Sequence, residues 1–231
     1  MKKFMLDTRA ALGVAPKTID NDYDEMAASV RAINRTLSEY LSGIENMKSA
    51  CQNLMMAMEG MSKIFETMTA GNGIPESMKS LAAHYTELTR MAQTELLVDY
   101  KKALEDDESI TEIRKLLISC KTLETRRNKV RNEYDTYRDA VNRKETVYKR
   151  KGKSLSESKV YEGEVSMRDS LKVEYEKADK EFKDKYMEVS AMKASSYKGA
   201  MAVYLESFSQ LMTSVEKGME ATKKKIDVVE V

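Results

Sequence analysis

The chain has 231 residues, of which 33% are charged and 7% aromatic, with two prolines, nine glycines and no tryptophan. This profile favours long helices with solvated charged faces over strands. Two cysteines exclude a disulfide framework, and no apolar run approaches the roughly 18 residues needed to span a bilayer. The net charge of +1 says little as a sum, so its distribution carries the information.

Residues 1–16 form a short segment closed by Gly13-Val14-Ala15-Pro16. Phe4, Met5, Leu6, Ala11 and Leu12 would make one apolar side of a short helix, with Lys2, Lys3 and Arg9 as its basic residues. A helix of that kind can lie in the interfacial layer of a bilayer, which makes Phe4, Met5 and Leu6 candidate inserting residues. The alternative is a frayed or docked terminus. The segment lacks the apolar core and cleavage site of a secretion signal, which points to the cytoplasm.

Thr18 or Asp20 can cap a first long helix, expected over 20–69. From Tyr23 an apolar residue recurs every three, then every four positions: Met26, Val30, Ile33, Leu37, Tyr40, Ile44, Met47, Cys51, Leu54, Met58, Met61, Phe65 and Met68. That alternation is the seam of a helix that supercoils against another. Leu41, Met55, Met56 and Ile64 widen the face.

The turn Gly71-Asn72-Gly73-Ile74-Pro75 introduces a second helix, expected over 76–149. Its pattern is interrupted at Glu105-Asp106-Asp107-Glu108, which reads either as a bend or as a solvated outer face. A second turn at Lys151-Gly152-Lys153-Ser154 leads to a third helix, expected over 157–226, whose heptads resume at Tyr197, Met201, Tyr204, Phe208 and Leu211. Short turns make neighbouring helices antiparallel. The expected fold is therefore all-α, an elongated antiparallel three-helix coiled coil over 17–231. Three thin helices would leave part of the first helix's face wet, and burial against a second copy makes a homodimer the economical solution. The seventeen methionines read as gap-fillers of the core, and both cysteines as small buried hydrophobes.

The charge is unevenly placed. Between Lys121 and Lys153 there are twelve basic residues and five acidic ones, an excess of seven on a chain that totals +1. Arg127, Arg131 and Arg138 fall on one flank of the second helix's seam and Arg126 on the other. The run ends in the turn carrying Lys149, Arg150, Lys151 and Lys153, with Lys159 following. Such clusters attract anionic lipid headgroups. Nucleic acid is the weaker partner, because Tyr134, Tyr137 and Tyr148 belong to the seam and are not free to stack on bases.

The short amphipathic start, the Thr18-x-Asp20 turn, three long helices and the basic turn together resemble a BAR domain of the N-BAR or classical type. The local likeness is best over Leu12-Gly13-Val14-Ala15-Pro16-Lys17-Thr18-Ile19-Asp20-Asn21-Asp22-Tyr23-Asp24-Glu25. The resemblance implies a crescent-shaped antiparallel homodimer with a six-helix centre. Its tips and concave face would bind anionic phospholipid membranes and sense or impose curvature. Lys149, Arg150, Lys151, Lys153 and Lys159 would then belong to the tip, Arg126, Arg127, Arg131 and Arg138 to the concave face, and Phe4, Met5 and Leu6 to the inserting helix.

The competing reading is a coiled-coil scaffold or tether that binds another helical protein without touching lipid. An enzyme is not indicated: there is no Gly-rich phosphate loop, no nucleophile constellation and no paired metal ligands. The single histidine, His84, flanks the Leu81, Tyr85, Leu88 repeat. No cofactor is expected, and no protein partner is identified.

Overall fold

The computed structural model describes residues 15–226, and all regular structure among them is helical. The elements are α1 (Asn21–Thr69), α2 (Glu76–Met91), a π-helical turn (Ala92–Leu96), α3 (Leu97–Glu105), α4 (Glu108–Arg150), a 3-10 turn (Leu155–Glu157) and α5 (Tyr161–Lys224). No helix among the described residues is long and apolar enough to cross a membrane. The candidate inserting residues Phe4, Met5 and Leu6 lie outside the described residues.

The expected second helix is not continuous. It breaks at Asp106-Asp107, where Asp107 turns inward, is buried, and accepts a hydrogen bond from the Ser109 amide at 3.0 Å. The acid cluster is thus a helix stop followed by an N-cap. The π turn has a separate cause. Tyr85, Leu88 and Ala92 are buried, and the next buried residue, Leu97, comes five positions later. The wider turn keeps Leu97 and Tyr100 on the side already used by Ala92.

The described chain forms two compact units. One comprises Glu112–Lys193 with the chain up to Asn34, the other Arg35–Thr111 with the chain from Ala194. In the first, Tyr23 and Arg31 of α1 meet Asn128 and Glu124 of α4. Arg126 and Lys144 of α4 meet Glu181 and Glu164 of α5. Numbers fall on one helix as they rise on its neighbour, so these segments run antiparallel. Their core holds Ile33, Leu117, Cys120, Val141, Phe182 and Val189, and the Tyr23 and Phe182 rings lie 5.1 Å apart.

In the second unit, Cys51, Met55 and Met58 of α1 pack with Ala92, Leu97, Tyr100 and Leu211. The buried line departs here from the expected seam. Met55, which lies off the seam, is fully buried beside the seam residue Met58, whereas the seam residues Leu54, Met61 and Met68 are 46%, 43% and 64% exposed. A strict 3.5-residue repeat drifts by about 20° per heptad on a straight helix, and over the length of α1 that drift carries the apolar stripe off the buried line. Helices approach closely at Gly218, where a Cβ would overlap Leu88, and at Gly199, where it would overlap Ser109.

Candidate functional site

The basic turn is built by two capping motifs. Helix α4 ends at Arg150; Gly152 then adopts φ +60°, the Lys153 amide donates to the Tyr148 carbonyl at 3.1 Å, and the Gly152 amide donates to the Lys149 carbonyl at 3.3 Å. This is a Schellman stop, and glycine suits its left-handed position. Ser154 and Glu157 then cap the 3-10 turn reciprocally. Tyr161 donates to Glu145 at 2.6 Å, and Lys144 pairs with Glu164, so both helix ends are tied across the turn.

This ordered turn holds Lys149, Arg150, Lys151, Lys153 and Lys159, all exposed. Lys153 lies 3.9 Å from Glu157, and the other four have no ion-pair partner among the described residues. Cations in the last turn of a helix are favoured by its dipole, which accounts for Lys149 and Arg150 without any ligand. The dipole does not account for Lys153 or Lys159.

The four arginines of α4 are placed differently. Arg127 is a correction to the sequence reading: its side chain is 0% exposed and cannot meet a headgroup. Its guanidinium bonds Asp179 of α5, Asp20 of the capping turn and the Tyr175 hydroxyl, each at 2.8 Å, and lies 3.3 Å from the Tyr23 ring centroid. The same Asp20 accepts from the Tyr23 amide, so it caps α1 and neutralises Arg127 together. Burial opposes ionisation of Asp20. The Tyr23 amide and the charges of Lys183 and Arg127 outweigh that and hold its carboxyl below the usual value.

Arg138 is likewise largely occupied. It donates to the Pro16 carbonyl and to the Thr18 hydroxyl, both at 2.7 Å, and pairs with buried Asp135. Asp135 in turn accepts from the Thr18 amide at 2.8 Å and hydroxyl at 2.6 Å. The Thr18-x-Asp20 turn is therefore a clamp that fastens the start of α1 to α4. Arg126 is exposed and pairs with Glu181 at 2.6 Å. Arg131 is half-buried beside a polar cleft of 440 Å³, with its Nε unpartnered among the described residues.

The excess of seven positive charges is thus reduced by acids from other elements: Asp20 from the capping turn, and Glu164, Asp179 and Glu181 from α5. Counting charge along one helix misses them. The Thr18-x-Asp20 pattern was visible in the sequence; its acceptor Asp135 and its cation Arg127 were not.

Among the described residues no group of three or more His, Cys, Asp or Glu stands where it could hold a metal ion. The second unit holds an apolar cavity of about 190 Å³ beside Phe65, Met78, Leu81 and Tyr85. The hydroxyls of its Thr69 and Thr222 are spent on backbone carbonyls. No protein-family model and no curated protein matches the chain.

Proposed function

We propose that this chain is a peripheral membrane protein of BAR type. It binds anionic phospholipid bilayers from the cytoplasmic side through its basic turn and follows or imposes curvature as a homodimer. The observation that carries the reading is the turn itself: five exposed basic side chains on an ordered, twice-capped hairpin, four of them without an ion-pair partner among the described residues. Each basic residue near an anionic surface contributes about 1 kcal/mol, so five suffice for salt-sensitive micromolar attachment when two copies act together. The crescent, the six-helix centre and curvature itself rest on the resemblance to BAR domains.

Dimerisation draws support from the second unit. Leu54, Met56, Met61, Ile64 and Met68 of α1 and Met201, Leu205 and Met219 of α5 leave apolar surface in water. A second copy presenting the same residues would bury it.

The test is co-sedimentation with phosphatidylserine-containing and neutral vesicles at low and high salt. Binding is expected only to the anionic vesicles, fading with salt. Lys149→Glu with Lys151→Glu is expected to abolish binding while the oligomer, read by light scattering, is unchanged. Binding to neither vesicle at any salt would leave the scaffold reading, and a partner helix would then be sought on the exposed face of α1.

A further inference from the structure

The basic turn carries serines as well as lysines: Lys149-Arg150-Lys151-Gly152-Lys153-Ser154-Leu155-Ser156. Among the described residues Ser154, Ser156 and Ser158 are the only serines outside α-helix. Ser158 is half-buried and Ser156 lies inside the 3-10 turn. Ser154 alone is both exposed and extended, at φ −73° and ψ 141°. Among the described residues its hydroxyl bonds only turn neighbours, the Ser156 hydroxyl at 2.7 Å and the Ser156 amide at 3.4 Å.

We infer that Ser154 is a phosphorylation site for a basophilic serine kinase, and that its phosphate switches the basic turn off. Protein kinases take their substrates as extended segments, and acidic pockets of the basophilic class select cations N-terminal to the acceptor by charge complementarity. Lys151 stands three residues before Ser154 and Arg150 four, with Lys153 adjacent. All three are exposed, and among the described residues no carboxylate pairs with Lys151 or Arg150. A helical serine would have to unwind to be presented, and Ser154 does not.

In the reaction the Ser154 oxygen attacks the γ-phosphorus of ATP and a new O–P bond forms. The bond to the β-phosphate oxygen breaks, ADP leaves, and the hydroxyl proton passes to the kinase's base. The product carries about −1.5 to −2 charges at neutral pH. Residues 149–159 hold five basic residues and one acid, Glu157. The phosphate therefore cancels roughly half of the net charge where the headgroups would sit. At about five-fold in affinity per charge near an anionic surface, each modified turn should bind about ten- to thirty-fold more weakly.

The switch rests on the membrane reading; the assignment of the site does not. The full chain is treated with ATP and an arginine-directed serine kinase, and the phosphate is located by mass spectrometry. Incorporation at Ser154, lost in Ser154→Ala and retained in Ser156→Ala, is expected; no incorporation, or incorporation only elsewhere, overturns the site. Unmodified and phosphorylated protein are then compared on vesicles of phosphatidylserine and phosphatidylcholine. A loss of at least about ten-fold, with a smaller loss of about five-fold per turn for Ser154→Asp, supports the switch. Equal binding by both forms overturns the switch and leaves membrane binding intact. Absence of binding by the unmodified protein fells the membrane reading together with the switch, and the incorporation result then decides the site on its own.

Discussion

Replacing Arg127 by methionine separates a structural arginine from a lipid-facing one. The wild-type guanidinium makes three hydrogen bonds at 2.8 Å, two of them to carboxylates, and stacks on Tyr23 with 0% of its side chain exposed. Each charge-assisted bond is worth about 1.5–3 kcal/mol, and the desolvated cation–π contact about 2. Desolvating the guanidinium returns several kcal/mol of that. Removing one partner of a buried pair nevertheless costs about 3–5 kcal/mol, because the surviving carboxylates are left without compensation. Lys183 moderates the loss, since it lies 2.8 Å from Asp179 and 3.5 Å from Asp20. The expected cost is therefore at the low end, about 3 kcal/mol. With a urea dependence of about 3 kcal/mol per molar, the midpoint followed by circular dichroism should fall by about 1 M. In Arg127→Met/Asp179→Asn the two effects should be less than additive, because the second change removes a carboxylate that the first left uncompensated. A midpoint shift below about 0.3 M, with vesicle binding lost, would refute the burial argument and return Arg127 to the surface.

Three further outcomes follow from the geometry. Asp20 has a folded pKa below its ordinary value of 3.8, so its contribution to stability is complete above that value and is lost as pH falls through the lower folded one. Acid unfolding followed by circular dichroism should show this loss in the wild type but not in Asp20→Asn. Burial pushes the Cys120 thiol up to about 11 and also raises Cys51. At pH 8 a chromogenic disulfide reagent should therefore label neither thiol in the native protein and both after unfolding. Gly218→Ala forces a methyl group against buried Leu88; offset by the roughly 1 kcal/mol that alanine gains over glycine within a helix, the net cost should be about 1 kcal/mol, read as a fall of about 3 °C in Tm by scanning calorimetry.

The helical content and the turns were legible because they depend on local signals. α1 begins and ends within a residue of its expected limits, since Asp20 caps it and the Gly71–Pro75 run stops it. The break at Asp106-Asp107 was marked by four adjacent acids, but only the burial of Asp107 decides between a stop and an outer face. The π turn left a subtler trace, the five-residue step from Ala92 to Leu97. The roles of the α4 arginines were not legible at all. Spacing on one helix gives a flank, whereas their partners Asp20, Asp179 and Glu181 come from segments distant in sequence and become neighbours only on folding.

The division of labour between the two cations follows from their chemistry. A planar guanidinium with fixed donors and weak hydration suits positions where several acceptors must be met away from water, and the arginines at 127 and 138 occupy such positions. A lysine ammonium holds its water strongly and gains little from burial, and the lysines at 149, 151, 153 and 159 all stay exposed on the turn. Charge that fastens the helices, on Arg127, Arg138 and Lys144, and charge left exposed, on Arg150 and the turn lysines, thus lie within one basic segment, with arginine at the sites that meet several acceptors. Reversing a turn lysine should act on binding without touching the fold, and reversing Arg127 should act on the fold before binding can be measured. The segment's sequence charge is the sum of two unrelated quantities, and only the exposed part is accessible to an anionic partner.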